Sequence, residues 1–312
     1  MLKLFSGTAN RPLTQEIAGK LGIELSGIEI VRFENSEVRV RVEEDVAHDT
    51  CVLVQPFSNP TDTNLIEFFL SGDALRREEA RKVIGVIPYF GYARQNIQHR
   101  PGECISANVI IRIIESIGFH RIYTIDIHDE ATGGVFEIPF KNLSAFPALS
   151  SAIKNYLSVQ EPDVDNFAIV TPDQGGIERA RSFGYAFFGH HDFHLAVTEK
   201  KRDINAIHKS KALDLYGDVS GKTVILVDDI ATSAGTLIHG AALCVNHGAT
   251  RVLAAVTHHD FSISAPEKIQ DSPIEVFFTT NSIALQEQYR FEKLREISIA
   301  DIIANELRGL PV

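Results

Sequence analysis

The stretch VILVDDIATSAGT (224–236) ends an apolar run in two adjacent acids, Asp228 and Asp229. A turn of small residues follows, Thr232, Ser233, Ala234, Gly235 and Thr236, and opens a helical pattern. Small residues let successive backbone N–H groups curl around an anion, and a helix N-terminus adds favourable partial charge. Two carboxylates beside such a nest suit a ligand that carries a phosphate and hydroxyls, or a bound Mg²⁺. The plainer alternative is a capped strand-to-helix turn with solvated acids.

Two further strand ends carry reactive types. TIDIHDE (124–130) places Asp126 and His128 two residues apart, on one face if the strand runs through both, with Asp129 and Glu130 beyond. A histidine in an acidic cluster can bind metal or exchange protons; the alternative is a histidine held by a local carboxylate. TPDQGGIERAR (171–181) follows a strand with Asp173, Gln174, Gly175 and Gly176, then a helix bearing Arg179 and Arg181. Paired glycines allow close backbone approach to a ligand, and equally serve ordinary turns. Three such ends in one α/β chain point to one crevice. GDVSGKT (217–223) imitates a phosphate loop, but it precedes its strand and has one residue too few between its glycines, so it reads as a turn.

Cations gather in two places. Segment 76–102 holds Arg76, Arg77, Arg81, Lys82, Arg94 and Arg100, and segment 199–211 holds Lys200, Lys201, Arg202, Lys209 and Lys211. Arg94 and Gln95 sit beside the aromatics of PYFGYARQ, a composition that suits a nucleotide base and phosphates. The whole chain is nevertheless acidic, with Lys plus Arg 30 against Asp plus Glu 41 and a formal charge of −11. That balance argues against a general nucleic-acid or anionic-membrane binder. Three cysteines, Cys51, Cys104 and Cys244, are too few and too scattered for a disulfide framework, and read as buried small hydrophobes. His190–His191 and His258–His259 read as solvated or capping residues, since neither pair has helical ligand spacing. No apolar run reaches the ~18 residues of a membrane helix. Residues 1–12 lack a signal-peptide pattern, so the expectation is a cytoplasmic protein.

The elements that must position these groups alternate. Short β-branched runs at 2–5, 28–31, 51–54, 82–87, 121–127, 167–170, 193–197, 223–227, 251–256 and 274–278 read as strands. Amphipathic stretches at 13–21, 61–80, 105–117, 175–187, 234–247 and 298–308 read as helices. This pattern predicts an α/β protein with mostly parallel sheets. EVRVRVEE (37–44) alternates valine with charge and predicts a half-exposed antiparallel strand or flap. With 312 residues, about two domains are expected, with a boundary near 140–148 and a long mobile loop over 199–214.

VDDIATSAGT, IPYFGYARQ, TIDIHDE and TPDQGG, with KLFSGTAN and RFENSEV near the start, together resemble the ribose-phosphate pyrophosphokinase family, in collinear order over essentially the whole chain. The resemblance implies two similar phosphoribosyltransferase-type domains, 1–145 and 146–312, with substrates between them, and homo-oligomers of dimers and hexamers. It implies Mg²⁺-dependent transfer of the diphosphoryl group of ATP to the C1 hydroxyl of ribose 5-phosphate. Asp228 and Asp229 would hold the ribose hydroxyls, 232–236 the 5-phosphate, and His128 and Asp173 the Mg²⁺, with Gln174, Gly175 and Gly176 completing a diphosphate loop. Phe33, Asn35 and Glu37, on a flap from a neighbouring subunit, would meet the adenine together with Arg94 and Gln95. Lys200 and Arg202 would be the catalytic cations.

Some positions depart from the family pattern. Thr232 stands where a third acid is usual, and Asp45 and Ala47 stand where a serine and an arginine help bind regulatory phosphate or ADP, so ADP is expected to inhibit only in competition with ATP. Two other readings use the same motifs, a phosphoribosyltransferase and a non-catalytic regulatory subunit. The first needs only one such domain and no flap. The second draws on Thr232, but His128, Asp173, Lys200 and Arg202 are all present.

Overall fold

The computed structural model describes residues 1–201 and 212–310. The chain begins with β1 (Leu2–Ser6), α1 (Arg11–Leu21), the hairpin strands β2 (Ile28–Arg32) and β3 (Val38–Val42), β4 (Thr50–Val54), α2 (Thr61–Arg77), β5 (Lys82–Ile87), α3 (Ser106–Ile117), β6 (Arg121–Ile125) and β7 (Phe140–Leu143). Local chemistry sets these limits. Asn10 accepts the Leu13 N–H to start α1, Pro12 sits in its first turn, and Gly22 closes it at φ 70°; such a side-chain cap stabilises by about 1 kcal/mol. β4 and β5 are apolar almost throughout and buried, as strands covered on both faces must be. They lie inside a parallel five-stranded sheet ordered β1-β4-β5-β6-β7. Phe68 on α2 stacks on Phe119 at 4.4 Å in the core beneath it. β2 and β3 stand apart as the expected antiparallel flap, with Val38, Val40 and Val42 half-buried and Arg39 and Arg41 exposed.

The chain continues with α4 (Phe146–Leu157), β8 (Phe167–Thr171), α5 (Ile177–Phe188), β9 (Leu195–Lys201), β10 (Ala212–Tyr216), β11 (Thr223–Ala231), α6 (Gly235–Asn246), β12 (Arg251–His259), α7 (Ala265–Gln270), β13 (Val276–Thr280), β14 (Leu294–Ile297) and α8 (Ala300–Arg308). Among the described residues the second sheet has the order β10-β9-β8-β11-β12-β13-β14. All its pairs are parallel except β9 with β10. Two compact units result: Met1–Ser144 with Ser282–Ala284 and Ser298–Val312, and Ala145–Asn281 with Leu285–Ile297.

Several expectations need correction. One cut near 145 does not divide the chain, because its last helix returns to the first unit: α8 buries Ile303 and Leu307, Lys20 pairs with Asp301 at 2.8 Å, and Ser298 donates to Glu16. Residues 140–143, within the expected boundary region, form a strand. The polar segment 199–214 is not all loop, since Glu199, Lys200 and Lys201 register with Asp214, Leu213 and Ala212. β10 is an edge strand, where polar residues are tolerated. The strand at 121–127 stops at Ile125, because Asp126 adopts φ 37° and turns the chain. Strand alternation therefore does not align Asp126 with His128. Cys51 and Cys244 are buried as expected, their thiols pushed up to about 12 chiefly by burial, whereas Cys104 is exposed. His190 and His191 are exposed, but His258 and His259 are buried at the end of β12.

Candidate active site

In the second unit, parallel neighbours β8 and β11 carry two of the motifs at the same end of the sheet. β8 leads into Asp173, which is exposed and accepts the Gly176 N–H on Oδ1 at 3.0 Å, closing the turn Gln174–Gly176. Thr171 Oγ1 donates to the Asp173 carbonyl at 3.0 Å, and Thr198 Oγ1 donates to the Pro172 carbonyl at 3.1 Å. The turn that starts at Asp173 is thus held by hydroxyls from two strands. Lys200 lies on β9 opposite Leu213. Arg202 lies outside the described residues.

β11 runs past its acids to Ala231. Asp228 is partly buried, Asp229 is buried, and the Asp229 N–H donates to Asp228 Oδ1 at 2.9 Å. Burial, then the neighbouring Asp229 charge, push the Asp228 carboxyl well above its ordinary value, and Arg179 opposes them. Arg179 places its guanidinium 3.1 Å from Oδ1 of each acid. Sequence reasoning put Arg179 on its helix and assigned it nothing; the available signal was its position one turn after Gly176.

Residues 232–236 then turn sharply. Thr232, Ser233 and Thr236 are exposed, Ala234 is buried at φ 55°, and Gly235 starts α6, which has no side-chain cap. The Ser262 N–H braces the Thr232 carbonyl at 2.9 Å, and the Asp260 N–H braces Ala231 at 3.1 Å. Backbone amides at an uncapped helix start are groups that can bind phosphate. His259 is in register with Ala231, the residue before this turn.

The first unit holds a separate cleft of about 450 Å³ lined by Thr61, Tyr89, Gly91, Tyr92, Arg94 and Gln95. A Cβ on Gly91 would come 2.4 Å from the Phe57 carbonyl, so the backbone here admits only glycine. Tyr92 stands at φ 67° with its hydroxyl donated to Asp62, which raises its pKa, aided by burial. Gln95 accepts from Ser106. Asn96 donates to Asp129, joining the Arg94–Gln95 segment to the loop that carries the half-buried His128. No residue-type signal in the sequence announces this link.

Phe33, Asn35 and Glu37 form the tip of the β2–β3 flap and are not among the residues lining the cleft. Phe33 donates its N–H to the Glu37 carbonyl at 2.8 Å, Asn35 Oδ1 accepts the Glu37 N–H at 3.2 Å, and the Phe33 ring is 46% exposed. His128 belongs to the first unit and Asp173 to the second. Among the described residues no three His, Cys, Asp or Glu side chains gather as a metal cage, and no helix is long and apolar enough to cross a membrane.

Comparison with known proteins matches residues 2–118 to a family model described as the N-terminal domain of ribose phosphate pyrophosphokinase, and residues 191–311 to a phosphoribosyl synthetase-associated domain. The chain is 36% identical to ribose-phosphate pyrophosphokinase of Aquifex aeolicus over 99% of its own length and 96% of that protein. It is 37% identical to the chloroplastic ribose-phosphate pyrophosphokinase 2 of Arabidopsis thaliana, over 98% of this chain and 74% of that one. Among solved structures it resembles phosphoribosylpyrophosphate synthetase from Mycobacterium smegmatis, with TM-score 0.87, 30% identity and 99% and 98% of the two chains covered.

Proposed function

The chain belongs to the ribose-phosphate pyrophosphokinase family, and we propose that it makes phosphoribosyl diphosphate and AMP from ATP and ribose 5-phosphate with the residues described above. The observation that carries this reading is the pairing, on one strand end of the second unit, of partly buried Asp228 and buried Asp229 with the uncapped turn at 232–236. Vicinal hydroxyls and a phosphate of one sugar phosphate match those two features.

The C1 hydroxyl oxygen bonds to the β-phosphorus of ATP, the bond from that phosphorus to the α,β-bridging oxygen breaks, and AMP leaves with the bridging oxygen. The hydroxyl proton passes to solvent. The nucleophile comes with the substrate, so the protein's work is positioning and neutralising phosphate charge. The first unit takes ATP: Arg94 and Gln95 in the cleft, with Phe33, Asn35 and Glu37 supplied by a neighbouring copy in a homo-oligomer of dimers assembling to hexamers. The second takes ribose 5-phosphate, with Asp173 and Gln174–Gly176 around the transferred diphosphate. Lys200 and Arg202 add positive charge at the transferred group. Thr232 offers a hydroxyl in place of a third acid.

Mg²⁺ usually binds through one or two carboxylates with the rest from phosphates and water, and Asp173 supplies one such carboxylate. Exposed Asp173 and half-buried His128 would hold it, and it would neutralise phosphate charge when bound. We place this chemistry in the cytoplasm, without nucleic-acid or membrane partners. With Asp45 and Ala47 at the regulatory positions, ADP inhibits only against ATP.

Two incubations test the reading. AMP from ATP, Mg²⁺ and ribose 5-phosphate supports it. A nucleotide formed only from phosphoribosyl diphosphate and a nucleobase would replace it with a phosphoribosyltransferase. No product in either mixture would leave a regulatory subunit.

A further inference from the structure

Arg179 lies on α5 three residues after Gly176, one helical turn above the diphosphate loop. Its side chain is 12% exposed, and those of Asp228 and Asp229 are 17% and 5% exposed. One terminal nitrogen meets Asp228 Oδ1 and the other meets Asp229 Oδ1, both at 3.1 Å. Consecutive residues on a regular strand point to opposite faces. Here both carboxylates reach one guanidinium, so the cation fixes an arrangement that the strand alone does not supply. A planar fork is the side chain suited to bridging two acids at once.

Charge gives the second argument. The acid pair alone could take either hydroxyls or Mg²⁺. With a buried guanidinium on one oxygen of each acid, a divalent cation at the pair would face a fixed positive charge a few ångströms away, whereas neutral hydroxyls pay no such repulsion. We propose that Arg179 is a positioning residue that makes the Asp228–Asp229 pair a vicinal-diol site and sets its selectivity for ribose over 2-deoxyribose phosphates. The inference rests on the reading that ribose 5-phosphate binds at this pair.

The test is the ratio of kcat/KM for ribose 5-phosphate to that for 2-deoxyribose 5-phosphate, measured on the full-length protein as AMP release at saturating ATP. A site that hydrogen-bonds a hydroxyl discriminates strongly against the analogue lacking it. Arg179→Met lowers the ratio by roughly tenfold or more, while KM for ATP stays within about twofold. Arg179→Lys, which keeps the charge but loses the fork, falls between Arg179→Met and the unaltered protein. General damage lowers both kcat/KM values together and leaves the ratio unmoved. An unchanged ratio in folded Arg179→Met overturns the proposal; should that variant not fold, an unchanged ratio in Arg179→Lys does so. Absence of AMP with the unaltered protein would instead defeat the function on which the inference rests.

Discussion

Gly176 and Thr171 are packed so closely that a Cβ on Gly176 would lie 2.2 Å from Thr171 Oγ1. The glycine is there for space and not for dihedral freedom, since its φ is −87°. The same hydroxyl donates to the Asp173 carbonyl, and the Gly176 N–H donates to Asp173 Oδ1, so one missing methyl group lets the turn close around Asp173.

Gly176→Ala must therefore push Thr171 or the turn aside. Overpacking of this kind costs about 1–3 kcal/mol. The variant is expected to unfold at lower denaturant concentration and to lose more activity than stability, because Asp173 moves with the turn. Urea titration beside kcat measures both.

Asp228 carries a cost that its function explains. Its folded pKa lies well above the ordinary 3.8, so the folded state binds the proton more tightly than the unfolded one. The stability this group contributes is full below pH 3.8 and is lost as pH rises through the raised value. Ionising this carboxyl in the folded protein is thus a cost to stability. Asp228→Asn is expected to stabilise the protein by about 0.5–2 kcal/mol while greatly weakening ribose 5-phosphate, a trade seen when a strained functional group is removed. Thermal unfolding at pH 7 and KM for the sugar read the two effects.

His259 works in the opposite pH window. Burial, assisted by His258, pushes its pKa from 6.5 to about 4; Nδ1 lies 3.3 Å from Thr279 Oγ1, and buried Nε2 has no partner. Between pH 6.5 and 4 the unfolded chain takes up a proton that the folded chain resists, so stability falls as pH is lowered through that range. A shift of this size corresponds to up to about 3 kcal/mol. The difference in unfolding free energy between the unaltered protein and His259→Gln is expected to change in that direction from pH 7 to pH 4.5. A difference independent of pH would show that His259 titrates normally.

Arg94 is exposed at the cleft and is assigned to the nucleotide. Arg94→Ala removes a charge-assisted contact and is expected to raise KM for ATP about ten- to a hundredfold. KM for ribose 5-phosphate should not change, since the sugar is assigned to the other unit. Initial rates with each substrate varied in turn separate the two.

How much of this was legible in the sequence differs by element. The inner strands were plain because parallel strands covered on both faces must be apolar and β-branched, as TCVLV and KVIGVI are. The flap was plain because VRVRV alternates. β7 (FKNL), β10 (ALDLY) and β14 (LREI) were missed because they are short, polar edge or near-edge strands whose pairing comes from their neighbours. At the site, the acid pair and small-residue turn were visible as motifs. The role of Arg179 was not, because it depends on β8 lying beside β11, which chain order alone does not specify. The bend at Asp126, which an aspartate tolerates, and the burial of His259 are likewise tertiary outcomes.

The most direct test of the central claim is ³¹P NMR of the protein incubated with ATP, Mg²⁺ and ribose 5-phosphate. The account predicts AMP and phosphoribosyl diphosphate rising in equal amounts, with the new diphosphate on C1 of the sugar and no ADP. ADP with a singly phosphorylated C1, or ADP with inorganic phosphate, would contradict it.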